Sequence, residues 1–231
     1  MSLLTIVIPA FNESDYILIT LGRIQKTVRT DFECLVVVDS PDDSTILHVS
    51  NLNKSDSRFQ IILNDLGKGP AFAIKKGIYK ASGSFIAIVS GDGSDDVSQI
   101  DDLVRLVERG VSVAVASRHM KGGQLVGSPF LKGWLSKIAG LSLFHISRVG
   151  THDSTNNFKV YEKTFLNSIV IESTHGFELG LELICKAKRK KLPIAEIPTI
   201  WIERSEGVSK FPLVKSLPKY FYWYLKTIFK F

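Results

Sequence analysis

Five aspartates fall within the stretch VSGDGSDDVSQIDD, residues 89–102, behind the apolar run FIAIV and with no basic residue among them. Asp92, Asp95 and Asp96 could hold a hard divalent cation such as Mg²⁺ or Mn²⁺, which takes carboxylate oxygens and shares its remaining positions with phosphates. A calcium loop of the EF-hand kind fits badly: with Asp92 as position 1, position 6 is Val97 and position 12 is Leu103. The competing reading is a surface turn in which Asp95 or Asp96 caps a helix starting near Val97, with Asp101 and Asp102 on its solvated face. For Asp101 and Asp102 that second reading is preferred. Upstream, Gly67 and Gly69 in NDLGKGPAFAIKKG make a backbone-exposing turn before a helix start, with Lys68 as a phosphate neighbour.

The elements that must position these groups are legible as alternation. Apolar runs LLTIVIP, ECLVVVD, RFQIIL, SFIAIVS and VSVAVAS alternate with helical patterns at about 13–28, 70–81 and 97–109. This reads as βαβ units around a mostly parallel sheet, whose ligands sit beyond the carboxyl ends of the strands. PAFNE, DSPDDST and GDGSDD follow the first, second and fourth runs and should meet on one edge. Helical stretches are expected at about 131–147 and 175–190, and LPIAEIPTIWIER alternates like a strand.

The 231 residues, 45% hydrophobic and 23% charged, suffice for one domain with a small appendage. Residues 1–110 hold 11 Lys+Arg against 15 Asp+Glu, whereas 111–231 hold 18 against 8. So uneven a split suits a metal at one place and anions at another, in preference to a nucleic-acid coat. Cys34 and Cys185 read as core residues in a reducing compartment. The start has no basic n-region and reads as no secretion signal, and no apolar stretch is long enough to span a bilayer.

Several motifs in order resemble the family 2 GT-A glycosyltransferases, particularly the polyprenyl-phosphate (dolichol-phosphate) mannose and glucose synthases. They are TIVIPAFNE, VVVDSPDDST, GKGPAFAIKKGIYKASGSFIAIVSGDGSDD, ASRHMKGG, DSTNNFKVY, HGFELGLEL and RSEGVSKF, spanning about residues 4–211. The resemblance implies a GT-A, Rossmann-like α/β fold with a mixed, mostly parallel sheet flanked by helices. It implies a nucleotide and metal half over 1–96 and an acceptor half over 97–211. Pro9, Phe11, Asn12, Glu13, Asp39, Lys68, Lys75, Gly91 and Asp92 would face the nucleotide sugar, of GDP-mannose or UDP-glucose type. Arg118, Lys132, Lys137, Ser209 and Lys210 would meet an acceptor phosphate, with Arg118, Lys132 and Arg204 joining Asp92 in catalysis. Val38 stands where the second motif has the first of two adjacent aspartates, and Lys132 and Lys137 stand where relatives commonly have arginines. Lysine keeps the charge but loses the bidentate fork.

The implied activity is metal-dependent, inverting transfer of a hexose from a nucleotide-diphosphate sugar to a polyprenyl phosphate. An already anionic acceptor needs no general base, whereas a saccharide or protein hydroxyl would need a carboxylate. A nucleotide-sugar-binding module without catalysis is the alternative from another class. Asp153 and Glu178 read as structural partners for the acceptor loop. His119, His152 and His175 form no metal motif and are assigned no chemistry. In the tail, 212–231, Lys219, Lys226 and Lys230 lie opposite Leu217, Phe221, Tyr224, Ile228 and Phe231, the pattern of a helix lying on an anionic membrane or docked on its own domain or a partner. KAKRKK, 186–191, reads as facing headgroups or as a solvated helix end. The expected placement is peripheral, on the cytoplasmic membrane face, with a homo-oligomer or a membrane subunit as further partners and no nucleic acid.

Overall fold

The computed structural model describes residues 3–174, 176–203 and 213–229. Elements follow as β1 (Leu4–Ala10), α1 (Ser14–Thr27), β2 (Phe32–Val38), α2 (Thr45–Ser55), β3 (Phe59–Leu63), α3 (Pro70–Lys80), β4 (Phe85–Ile88), α4 (Ile100–Glu108) and β5 (Val113–Ser117). The second half adds β6 (Gln124–Val126), α5 (Phe130–Ser142), β7 (Lys159–Glu162), α6 (Lys163–Asn167), α7 (Leu179–Arg189), β8 (Ile194–Pro198), β9 (Ile200–Ile202) and α8 (Leu213–Ile228).

Seven strands form one sheet in the order β3-β2-β1-β4-β7-β5-β8, and β6 pairs with β9 in a second. Only β7 is reversed: it runs antiparallel to both β4 and β5, while the other neighbours are parallel. The carboxyl ends of β1, β2, β4 and β5 therefore share one edge, as the sequence pattern predicts. Successive side chains of a strand point to opposite faces, so β1 sends Ile6 and Ile8 into a core with α1, α2 and α4 and Val7 into another with α3, α6 and α7. Burial on both faces explains the continuous apolar runs.

Several elements escape the pattern. α2 has the β-branched, Asn-containing sequence TILHVSNLNKS and buries only Thr45 and Val49, leaving little helical signal. β7 is four residues long, and its Lys159 is completely buried in the sheet. The expected helix over 131–147 is α5 followed by a π-helical turn over Leu143–Ser147, and the expected strand over 192–204 is divided at Thr199 into β8 and β9. The run 175–190 becomes helical only at Leu179.

The tail docks on its own domain. Trp223 is buried in the core shared with α7, and Lys186 and Lys226 lie over its ring. Lys226 also reaches Glu172 at 3.5 Å, so it faces the protein and not a headgroup surface. Three members of KAKRKK are used internally as well: Lys186 pairs with Glu172 and the buried Glu182, Lys188 donates to the Arg148 carbonyl, and Arg189 donates to the carbonyls of Lys226 and Phe229.

Gly77 of α3 lies against β1, where an added Cβ would collide with the Val7 side chain. Gly77→Ala is expected to lower stability by about 1–3 kcal/mol through overpacking, despite the better helix propensity of alanine. Urea denaturation measures it; equal or higher stability would mean that α3 and β1 are not in tight contact.

Candidate active site at the carboxyl edge of the sheet

The ends of β1 and β2 are tied together by a carboxylate. Asn12 takes a left-handed conformation, φ 52°, and its N–H donates to both oxygens of the buried Asp43 at 3.2 and 3.1 Å. Asp43 also accepts from the N–H of Thr45, and Thr45 Oγ1 accepts from the N–H of Glu13. Pro9 is opposite Val37 in the ladder, and Phe11 projects outward, 55% exposed. The polar clusters after β1 and β2 thus form one surface, as expected, through a residue, Asp43, that sequence reasoning did not single out. Its signal was present as the third aspartate of DSPDD.

Asp39 organises the neighbouring loop. One oxygen accepts from Asn64 Nδ2 at 2.7 Å and the other from the Gly69 N–H at 2.6 Å. Asn64 also donates to the Gly67 carbonyl, and both glycines have positive φ, 146° and 107°. Lys68 between them is exposed. Lys75, expected nearby, lies farther along α3 over the Phe72 ring, where burial lowers its pKa and the charged neighbours are Glu182, Lys186 and Glu178. The Phe72 ring in turn lies against Gly67, so Lys75 sits between the glycine loop and the charges of α7.

The five aspartates separate into distinct roles. Asp92 is half-buried; its Oδ1 accepts from the Ser94 N–H and hydroxyl at 3.1 and 2.6 Å, closing a turn through Gly93 at φ 76°. The Gly91 carbonyl accepts from Thr20 Oγ1 and the Gly93 carbonyl from Arg23, which fixes this turn to α1. Asp95 is buried and accepts from the Ser90 N–H at 2.8 Å. Burial, reinforced by the neighbouring Asp92, pushes its pKa up to about 6. Asp96 caps the short 3₁₀ turn Val97–Gln99 by accepting from the Ser98 N–H. Asp102 pairs with Arg105 on the helix surface. Asp101 corrects the expectation of a solvated side chain: it accepts from the N–H groups of Arg29 and Thr30 and the Thr30 hydroxyl, pinning the α1–β2 connection.

Among the described residues no three His, Cys, Asp or Glu side chains are grouped to hold a metal. An all-protein cage does not fit this donor set. A hard cation held by one or two carboxylates and completed by substrate phosphates does fit, with Asp92 facing the edge and the buried Asp95 beside it.

Beyond β5, Arg118 is clamped to the fully buried Asp153: Nε donates to Oδ2 at 2.6 Å and Nη2 to Oδ1 at 2.9 Å. Arg118, expected at an acceptor phosphate, gives Nε and Nη2 to this pair, while Asp153 takes the structural role expected of it. Burial opposes the charged form of Asp153, but the Arg118 charge and hydrogen bonds outweigh it and hold the pKa well below the usual range. Lys159 donates to the carbonyls of Ser154 and Asn156 in the same loop, and burial drops its pKa to about 7. Lys159 was missed, although a lone lysine inside the apolar FKVY was a signal. Lys132 lies between the Trp201 ring, 5.5 Å, and Glu203, 3.7 Å. Lys137 is exposed one turn on. The Ile202 N–H donates to the Ser94 carbonyl, which brings β9 and the adjacent Glu203 beside the Asp92 turn. Arg204, Ser209, Lys210 and His175 lie outside the described residues.

Breaking a buried pair strands a charge, so Arg118→Ala should cost about 3–5 kcal/mol in denaturant unfolding, and Arg118→Lys less. Because the folded pKa of Asp153 is depressed, its contribution is complete above the unfolded value near 3.9 and is lost as pH falls through the folded value. The stability gap between the parent and Asp153→Asn should therefore narrow below about pH 4, and it should widen as pH falls through about 7, where Asp153 favours the charged form of Lys159. A gap that closes near neutral pH would mean that the pair is not formed.

The model of Glycosyl transferase family 2 matches residues 5–170. The polyprenol monophosphomannose synthase of Mycolicibacterium smegmatis is 26% identical over 211 residues, covering 89% of this chain and 79% of that protein. The dolichol-phosphate mannosyltransferase of Pyrococcus furiosus is 25% identical over 89% of this chain, which spans only 58% of that relative's length. Among solved structures, the glucosyl-3-phosphoglycerate synthase of Mycobacterium tuberculosis in complex with Mn²⁺, UDP-glucose and phosphoglyceric acid superposes with a TM-score of 0.73 at 13% identity, over 98% of this chain and 80% of that one. At that identity the likeness speaks for the fold, a GT-A-like mixed sheet flanked by helices. By its family match and its sheet, the chain belongs to glycosyl transferase family 2.

Proposed function

We propose that this protein transfers a hexose from a nucleotide-diphosphate sugar to a polyprenyl phosphate, with a divalent cation, from the cytoplasmic face of a membrane. The observation that carries this reading is that similarity to polyprenyl-phosphate transferases extends over 89% of the chain, past the end of the family match at residue 170 and through the cation-rich acceptor half.

The chemistry follows from the groups on the edge. An acceptor phosphate oxygen attacks the anomeric carbon as the bond to the diphosphate breaks; the nucleoside diphosphate leaves and the anomeric centre inverts. A bound Mg²⁺ or Mn²⁺ would neutralise the charge that grows on the diphosphate. Asp92 would hold that cation, and Lys68 on the glycine loop would add a second positive charge to the same oxygens. Lys132 and Lys137 of α5 would receive the acceptor phosphate, while Arg118, through Asp153, keeps in register the 151–158 segment on which α5 packs. The acceptor oxygen is anionic near neutral pH, so no side chain need remove a proton.

Asp92→Asn should reduce turnover about a hundredfold or more and weaken metal-assisted nucleotide binding. Stability should change by less than about 1 kcal/mol, because an amide oxygen can still accept from Ser94. Unchanged turnover would remove Asp92 from the metal. For the acceptor, the protein is incubated with Mg²⁺ or Mn²⁺, a panel of labelled nucleotide sugars, and either polyprenyl phosphate or soluble saccharides. Label is expected in the lipid phosphate; label only in saccharides overturns the proposed acceptor, and label in neither favours a binding module.

A further inference from the structure

The loop between β3 and α3 has little of its own to hold it in one shape. Gly67 and Gly69 both take positive φ, and Leu66, Gly67 and Lys68 are exposed. Glycine backbone of this kind is free to rearrange. The reading above nevertheless needs it to present Lys68 to a diphosphate at a fixed place.

One side chain supplies the restraint. Asn64, the first residue beyond β3, is buried, and its backbone N–H donates to the Val38 carbonyl at 2.8 Å. Its amide is used at both ends: Nδ2 donates to Asp39 Oδ1 at 2.7 Å and to the Gly67 carbonyl at 2.5 Å, and Oδ1 accepts from the Leu66 N–H at 3.1 Å. The reverse orientation would set an oxygen against two acceptors, so these partners fix it. Asp39 is completed from the other side by the Gly69 N–H at 2.6 Å, and the Phe72 ring packs where a Cβ at Gly67 would stand. The end of β2, the end of β3 and the glycine loop thus form one hydrogen-bonded unit with Asn64 at its centre. Alanine or serine has too few donors for this place, and aspartate has the wrong atoms.

We infer that Asn64 is a positioning residue of the donor site: without touching substrate, it sets Asp39 and the Gly67–Gly69 loop in one arrangement before binding, and so governs how tightly a nucleoside diphosphate is held. The inference rests on the nucleotide-sugar reading above and adds to it the residue that preorganises that site.

Titration calorimetry of the full chain with GDP and with UDP, each with Mn²⁺, tests it. In Asn64→Ala the Leu66 and Gly67 groups are exposed and turn to water, so the variant should fold. Its dissociation constant at about pH 8 should rise at least about tenfold, with the number of sites unchanged. A residue that only supports the fold would instead lower the number of sites and leave the affinity of the remaining molecules as it was. Asn64→Asp sets a carboxylate oxygen against Asp39 and the Gly67 carbonyl, and at about pH 8 it should bind at least as weakly as Asn64→Ala. At about pH 5 two carboxylates so close hold one proton between them, which restores the bond to Asp39. Asn64→Asp should then return to within about threefold of the parent at the same pH, and Asn64→Ala should not. Unchanged affinity in Asn64→Ala, fewer sites at unchanged affinity, or no recovery of Asn64→Asp at the lower pH would each overturn the inference. Because no acceptor is present, the two readings separate: a parent that binds nucleotide but transfers no sugar to polyprenyl phosphate defeats only the proposed acceptor, and a parent that transfers sugar while Asn64→Ala binds nucleotide equally well defeats only the role of Asn64.

Discussion

The second half of the sheet hangs on one buried ion pair. Arg118 extends from the end of β5, Asp153 precedes β7, and their two hydrogen bonds fix the only reversed strand of the sheet against its neighbour. Taking two charges out of water is costly, and the cost is met only when geometry is good and the remaining polar atoms are satisfied. That condition is fulfilled locally: Asp153 also receives the N–H groups of Arg118 and Asn156, and Lys159 turns its ammonium group to the carbonyls of the same loop. The pair therefore selects one arrangement of the 151–158 segment, and α5 packs on that arrangement through Gly140.

A similar economy governs the first half of the chain. Asp39, Asp43, Asp95, Asp96 and Asp101 all accept backbone N–H groups from loops at strand or helix ends. Loop backbone at the edge of a sheet has lost its ladder partners, and a carboxylate is the strongest replacement acceptor available. Asp92 accepts the Ser94 N–H and hydroxyl through Oδ1, the same pattern that Asp96 makes with Ser98. The acidity of the first half is thus partly architectural.

The strand pattern, the shared edge and the family resemblance were legible because they depend on local chemistry: apolar runs buried on two faces, followed by glycine and aspartate. The role of each carboxylate was not. Whether an aspartate binds a cation or an N–H depends on where a loop dozens of residues away comes to rest, as with Asp101 and Thr30 or Asp43 and Asn12. β7 was illegible for the same reason: its four residues carry a lysine whose burial makes sense only once the 153–157 loop supplies carbonyls. The tail's helical pattern was visible, but a helical wheel cannot tell which side meets the domain, and Trp223 with Lys226 proved to be that side.

The hydrogen bond between Ile202 and Ser94 has a consequence for the order in which the molecule is completed. During synthesis the Asp92 turn leaves the ribosome long before β9, and β8, which covers the outer edge of β5, arrives just ahead of it. Contacts between such distant segments form late, because their loop-closure entropy must be overcome first. A nascent chain that has made β1 to β4 thus lacks the backbone donor that meets the Ser94 carbonyl, and the Asp92 turn is completed only when β9 arrives.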